Sequence, residues 1–98
     1  MAIRTAIIGL GIMGRRMLEH LEKHPGYSVT AIWDPDKDAC GAALNFSPSA
    51  TLVASADDAI QSADVVYLAC PPIPRKTYAL GAARAGKAIF LEKPLGVD

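Results

Sequence analysis

The sequence is short of cysteine, of excess charge and of long apolar runs, and each shortage excludes a class of protein. Its two cysteines, Cys40 and Cys70, are too few for a disulfide framework and lack the spacing of metal ligands. Ten basic side chains balance ten acidic ones, so the chain lacks the positive surplus on which nucleic-acid binding depends. No apolar stretch approaches the roughly 18–20 residues that span a bilayer, and no signal-peptide pattern opens the chain. We therefore expect a cytoplasmic protein with no metal site and no membrane or nucleic-acid partner.

What the sequence does contain is a regular alternation of strand-like and helix-like segments. Strands are predicted at 3–8, 29–33, 65–69 and 88–91, with a weaker one at 52–53. Helices are predicted between them: one from about 13 to 24, one capped by Asp36 and running to about 44, one starting at Ser55, and one at about 75–85. Such alternation is typical of a parallel sheet built from right-handed crossovers. The predicted fold class is therefore α/β, a doubly wound parallel sheet in three layers (α/β/α).

Three glycines, Gly9, Gly11 and Gly14, lie between the first strand and the first helix in the pattern G-x-G-x-x-G. In a dinucleotide-binding loop the first glycine permits the tight turn, the second lets the backbone approach a pyrophosphate, and the third allows close helix–strand packing. The pyrophosphate would lie at the positive end of the first helix, where Ile12 and Met13 are also expected to contact the cofactor. The alternative is an ordinary glycine-rich turn.

Asp34 follows the second strand, twenty positions after Gly14. A carboxylate at this place can bind the adenosine ribose hydroxyls and would repel the 2′-phosphate of NADP, so NAD is the expected cofactor. Lys37 could soften that repulsion. The alternative is a surface turn residue, because Asp-Pro-Asp is a common turn composition.

Two further groups of residues follow strands, and they belong to the same edge of the predicted sheet. Cys70 and Pro71 follow the strand at 65–69, and Glu92 and Lys93 follow the strand at 88–91. Ligands of open parallel sheets bind outside the carboxyl ends of the strands, so we expect all four residues near the cofactor. Cys70 has no basic neighbour arranged to make it a nucleophile, and a small packing residue is the simpler interpretation.

The second half of the chain resembles the Gfo/Idh/MocA family, named for glucose–fructose oxidoreductase and inositol dehydrogenase. The resemblance covers essentially the whole chain and is carried by ADVVYLACPP, then Ala85-Gly86-Lys87, a strand, and Glu92-Lys93-Pro94. The opening IGLGIMGRRM, taken alone, looks like a β-hydroxyacid dehydrogenase instead. The sequence departs from the family pattern at Cys70-Pro71-Pro72, where Thr-Pro-Asn is usual, and at Arg75, where many members have histidine.

The resemblance implies an NAD(P)-dependent oxidoreductase acting on a sugar, polyol or related hydroxyl compound. Lys93 matches the lysine of the family's Glu-Lys-Pro motif and is the expected catalytic residue. A cation there can orient the substrate hydroxyl and stabilise developing negative charge, and a lysine with a lowered pKa can relay the proton. Family members carry a second α/β domain, so residues 1–98 are expected to be the N-terminal Rossmann-type cofactor domain of a longer protein. A homo-oligomer formed through that second domain is expected. The competing interpretation is a dinucleotide-binding or sensing module without catalysis.

Overall fold

The computed structural model describes residues 2–48, 50–70 and 72–91. In this part of the chain, strands and helices alternate as the sequence predicts. The elements in chain order are β1 (Ile3–Ile8), α1 (Ile12–Glu22), β2 (Tyr27–Trp33), α2 (Lys37–Phe46), α3 (Ala56–Gln61), β3 (Val65–Leu68), α4 (Pro72–Arg84) and β4 (Ala88–Leu91).

The four strands form one parallel sheet in the order β2-β1-β3-β4. Strand β1 lies in the middle, with Ile8 paired to Trp33 on one side and to Leu68 on the other. The order therefore reverses direction at β1, because the chain moves outward to β2 and then crosses to β3. All carboxyl ends meet at one edge, and the gap at such a reversal is where ligands of open α/β sheets bind.

Helices cover the sheet on both faces, which confirms the doubly wound, three-layer architecture. Successive side chains of a strand point to opposite faces, so Ile8 and Ile7 of β1 belong to different cores. Ile8 packs in the core that includes Ile60 of α3 and Ala82 of α4, whereas Ile7 packs with Leu18 of α1. Both isoleucines are fully buried, and each such burial contributes about 1.5–3 kcal/mol to folding.

Two boundary predictions were wrong. The predicted strand at 52–53 is an isolated bridge, in which Leu52 pairs with Ile32 beside β2. Its two apolar residues are too few to extend a ladder, and Leu52 stays 39% exposed. Helix α4 starts at Pro72 and not near Arg75. Prolines are tolerated in a first helical turn, because the amide hydrogens that they lack have no partner within the helix there.

The predicted helix caps are confirmed. The Asp36 carboxylate accepts a hydrogen bond from the Asp38 amide at 2.9 Å and caps α2. The Ser55 hydroxyl accepts one from the Asp58 amide at 3.1 Å and caps α3. Each cap satisfies an amide that the helix itself leaves unpaired, which is worth about 1 kcal/mol.

Candidate functional site

The turn after β1 requires glycine at its first position. Gly9 has φ +103°, a conformation that residues with a Cβ atom rarely adopt. A Cβ atom at Gly9 would also lie 2.6 Å from the carbonyl oxygen of Ala69, just beyond β3. The turn therefore runs directly against the end of β3, and only glycine fits between them.

The other two glycines of the loop differ in what surrounds them. A Cβ atom at Gly14 would overlap the carbonyl oxygen of Gly9, so α1 packs directly onto the turn. A Cβ atom at Gly11 would meet nothing within 4 Å among the described residues. The protein interior thus requires Gly9 and Gly14, whereas Gly11 leaves open space in front of the backbone.

The open space lies at the start of α1. Gly11 is the N-cap residue of this helix and provides no side-chain cap, and the first turn carries no acidic residue. Beside it, Ile12 is 65% exposed. Met13 is half-buried. Uncapped amides at the positive end of a helix dipole are suited to an anionic group such as a pyrophosphate.

Asp34 lies directly after β2 and is bonded to the glycine loop. Its Oδ2 accepts a hydrogen bond from the Leu10 amide at 2.6 Å, and its Oδ1 accepts one from the Asp36 amide at 2.7 Å. The Asp34 side chain therefore connects the glycine loop to the turn after β2, which a simple surface turn residue would not do. Sequence reasoning missed the contact with Leu10, because it depends on the register that pairs Ile8 with Trp33.

A cleft of about 520 Å³ opens beside Asp34, a volume within the usual range for small-molecule sites. It lies between α2 and the segment after the Leu52 bridge, and its lining includes Asp34, Pro35, Lys37, Leu52, Val53 and Ala54. Behind the strand end, Trp33 contacts Tyr78 of α4 edge-to-face, with ring centroids 5.9 Å apart. No periodic pattern in the sequence indicates this cleft, because its walls come from three separate segments.

The end of β3 borders the glycine loop on the other side. A Cβ atom at Gly9 would lie 3.0 Å from the Cys70 amide nitrogen, so Cys70 is a direct neighbour of the turn. The carbonyl oxygen of Cys70 accepts hydrogen bonds from Nε and Nη2 of Arg75 at 3.3 and 3.1 Å. Arg75 thereby ties the start of α4 to the end of β3.

Both thiols are buried and free. Burial raises the pKa of the Cys70 thiol, and the positive charge of Arg75 offsets part of that effect. Burial also raises the pKa of Cys40, whose thiol donates to the carbonyl oxygen of Asp34 at 3.2 Å. Thiols of raised pKa stay protonated at neutral pH and are poor nucleophiles, which agrees with the packing interpretation of Cys70.

Three of the predicted site residues, Pro71, Glu92 and Lys93, lie outside the described residues. Within the described ranges, no group of three or more His, Cys, Asp or Glu side chains is arranged to hold a metal ion. No helix there is long and apolar enough to cross a membrane. His20 and His24 are exposed on α1 and in the turn after it, away from the strand ends.

A smaller cavity, of about 290 Å³, lies elsewhere on the sheet. It opens between α1 and the strands and is lined by Thr5, Met17, Leu21, Tyr27, Tyr67 and Phe90. Tyr27 is the first residue of β2, so this cavity lies toward the amino-terminal half of the sheet. The glycine loop, Asp34 and the end of β3 instead meet at the carboxyl edge, which is where the candidate site lies.

The fold, the strand order and the glycine loop together define a dinucleotide-binding domain of the Rossmann type. The chain belongs to the Gfo/Idh/MocA family: residues 3–98 match the family model, which is described as an oxidoreductase family with an NAD-binding Rossmann fold. The match confirms the family that the second half of the sequence indicates, and NAD as the cofactor of that family.

Similar proteins include several inositol dehydrogenases. The inositol 2-dehydrogenase of Cereibacter sphaeroides is 32% identical over 100 residues, which cover 100% of this chain and 30% of that protein. The crystal structure of myo-inositol 2-dehydrogenase from Lactobacillus plantarum superposes with a TM-score of 0.82 at 32% identity, over 100% of this chain and 30% of that one.

A structure of myo-inositol dehydrogenase from Lactobacillus casei in complex with NAD(H) and myo-inositol has a TM-score of 0.84 and 30% identity. It is matched over 97% of this chain and 29% of that one. The chain thus spans about 30% of the length of these relatives.

Proposed function

We propose that the chain holds NAD at the carboxyl edge of its sheet, for hydride transfer from a polyol or related hydroxyl compound. One observation carries the proposal: the open space at Gly11 lies at the uncapped start of α1, while the Asp34 carboxylate is bonded to the next residue of the loop. The substrate class rests on the similarity to proteins named inositol dehydrogenases.

The glycine loop would hold the pyrophosphate. The backbone at Gly11 can be approached closely because no side chain intervenes, and the helix start supplies amide donors and a positive dipole end. The exposed Ile12 and the half-buried Met13 would pack against the same part of the cofactor. Gly9 and Gly14 act indirectly, by permitting the turn and the close approach of α1.

The adenosine end would lie at Asp34 and in the cleft beside it. A carboxylate accepts hydrogen bonds from ribose hydroxyls and repels an additional phosphate, so NAD is preferred over NADP. The adenine ring would enter the cleft between Pro35 and the segment that includes Leu52 and Val53. These walls are largely apolar, which suits the faces of a planar base.

The nicotinamide end would lie beyond β3 and β4, near Cys70, Pro71, Glu92 and Lys93. The chemistry that NAD supplies when bound is acceptance of a hydride from the carbinol carbon. We assign Lys93 the task of orienting the substrate hydroxyl and, as a neutral amine, accepting its proton while the hydride leaves the carbinol carbon. The ammonium formed in this way would stabilise negative charge on the substrate oxygen. The assignment rests on the Glu-Lys-Pro motif, since Lys93 lies outside the described residues.

Two further proposals concern the whole protein. We place it in the cytoplasm, a reducing compartment in which two buried free cysteines are stable. We also propose that residues 1–98 are the cofactor domain of a two-domain protein that forms a homo-oligomer through its second domain. Light scattering on the purified protein measures the oligomeric state directly.

The proposed function is tested by replacing Lys93 in the purified full-length protein, with the second domain proposed above. Lys93→Met should lower NAD-dependent oxidation of polyols by orders of magnitude and leave the Kd for NAD within a few-fold, because the lysine acts on the substrate hydroxyl. Turnover is followed by the absorbance of NADH over a panel of inositols and sugar alcohols.

Lys23→Met is the matched control, because Lys23 is an exposed lysine at the far end of α1. It should leave both turnover and NAD affinity unchanged. Near-normal turnover of Lys93→Met would contradict the assignment of Lys93. NAD binding without oxidation of any polyol by the full-length wild type would favour a sensing module over an enzyme.

A further inference from the structure

The Asp34 carboxylate is shared between two backbone segments. Its Oδ2 accepts from the Leu10 amide in the glycine loop, and its Oδ1 accepts from the Asp36 amide in the turn that leads to α2. Leu10 is fully buried, so its amide has no water to bond with and depends on this partner. A buried amide without a partner is costly, which makes the contact structurally important.

The contact lies directly beyond the last backbone bond between the ends of β1 and β2. The Gly9 amide donates to the carbonyl oxygen of Trp33 at 2.9 Å. The next amide along the chain belongs to Leu10, and it donates to the side chain of Asp34, the residue after Trp33. The turn is thus held against Ala69 on one side, by close packing at Gly9, and against Asp34 on the other.

We infer that Asp34 is a positioning residue for the pyrophosphate loop, in addition to the ribose contact given above. The inference rests on the proposed function in one respect, namely that the loop it holds is the one that binds the pyrophosphate. In this arrangement the same side chain holds the loop that binds the pyrophosphate and accepts hydrogen bonds from the adenosine ribose.

The two tasks are compatible because a carboxylate has more acceptor positions than the backbone uses. An ionised carboxylate offers about four lone-pair positions on its two oxygens. The Leu10 and Asp36 amides use one position on each oxygen. Each oxygen therefore keeps a free position, which matches the two adjacent hydroxyls of a ribose. The ribose can bind without displacing Leu10.

Asparagine cannot replace aspartate in this arrangement. Its side chain has one acceptor oxygen and one nitrogen that only donates. Whichever way the amide is turned, one of the two backbone amides faces a donor, and the single acceptor oxygen keeps one free position for the ribose where the carboxylate keeps two. Asp34→Asn thus keeps the size of the side chain and loses the shared contact.

The test uses an NAD analogue that lacks both hydroxyls of the adenosine ribose, so that Asp34 cannot act through them. If Asp34 positions the loop, Asp34→Asn lowers the affinity of the purified protein for this analogue by about fivefold or more, as well as its affinity for NAD. Hydrogen exchange of the Leu10 amide should also become faster by at least that factor. Unchanged affinity for the analogue together with unchanged Leu10 exchange would overturn the inference.

Asp36→Asn is the matched control. Asp36 is an exposed carboxylate two residues away, and its side chain bonds the Asp38 amide within its own turn. It should leave the exchange of Leu10 and the affinity for the analogue unchanged. A change at Leu10 as large as that in Asp34→Asn would mean a general loosening of this turn and would count against a specific role of Asp34.

A measurement on the wild type covers the case in which Asp34→Asn does not fold. A scalar coupling across the hydrogen bond, between the Leu10 amide nitrogen and the side-chain carboxyl carbon of Asp34, detects the contact by NMR, and its absence would overturn the inference. The proposed function and the positioning role of Asp34 can be refuted independently. A wild type that binds no NAD refutes the proposed function, whereas the Leu10 exchange and the coupling decide the role of Asp34.

Discussion

At the scale of single residues, the loop between β1 and α1 contains two glycines that the fold requires and one glycine that the fold does not require. The predicted turn role of Gly9 and the predicted packing role of Gly14 are confirmed by the φ of Gly9 and by the close approach of the two residues. A contact of Gly11 with a pyrophosphate stays a prediction. The bond from Asp34 to the Leu10 amide could not be predicted, because spacing along the chain does not reveal which buried amide lacks a backbone partner.

Gly11→Ala and Gly14→Ala are a matched pair of variants that tests whether Gly14 is needed for packing and Gly11 for binding the pyrophosphate. At Gly14 the added methyl group would overlap backbone, so Gly14→Ala should destabilise the protein by about 2–3 kcal/mol or more. At Gly11 the backbone has φ −71°, which alanine adopts freely, and the methyl group enters open space. Gly11→Ala should therefore cost about 1 kcal/mol or less, through the poorer N-cap alone, and weaken NAD binding at least tenfold.

Urea denaturation gives the free energies of unfolding, and calorimetry gives the Kd for NAD. Normal NAD affinity in Gly11→Ala would contradict the placement of the pyrophosphate. Equal stability of the two variants would contradict the packing of α1 on the turn.

At the scale of helices and strands, the sequence predicted the elements well wherever a local chemical signal marks them. The caps at Asp36 and Ser55 are examples, because a side-chain acceptor at a helix start bonds an amide two or three residues away. The two wrong predictions, the start of α4 and the strand at 52–53, concern features that no local signal in the sequence marks. Pro72 begins a helix because its first turn needs no amide donor there, and Leu52 forms only a bridge because the chain leaves β2 after one pair.

Helix α4 contains one glycine and is followed by another. Replacing each of them by alanine should change the stability of the protein in opposite directions. Gly81 lies inside α4, and a Cβ atom there would make an ordinary contact at 3.6 Å with Cδ1 of Ile60. Gly81→Ala should stabilise the protein by about 0.5–1 kcal/mol, since alanine loses less backbone entropy in a helix. Gly86 follows α4 with φ +75°, so Gly86→Ala should destabilise it by about 1 kcal/mol through backbone strain alone.

Chemical denaturation monitored by circular dichroism measures both effects. Shifts of the same sign in Gly81→Ala and Gly86→Ala would contradict the assigned backbone conformations.

At the scale of the whole molecule, the two edges of the sheet differ. The starts of β1 and β3 are joined by an exposed ion pair, in which Arg4 Nη2 lies 2.9 Å from Asp64 Oδ1. The Arg4 guanidinium lowers the pKa of the Asp64 carboxyl, as expected for a paired surface acid. The opposite edge gathers the glycine loop, Asp34 and Cys70 around the reversal of strand order. Parallel strands bring these separate segments together, which is why their meeting at one edge could be predicted from sequence.

A calorimetric titration of the folded chain with NAD and NADP shows whether these 98 residues form an NAD-binding unit. We expect one saturable NAD site and weaker binding of NADP, because the Asp34 carboxylate repels the 2′-phosphate. We also expect no polyol oxidation by this chain alone, because most substrate positioning would come from a second domain. A chain that is folded by circular dichroism and shows no saturable NAD binding would contradict an NAD-binding unit, and tighter binding of NADP than of NAD would contradict the role of Asp34.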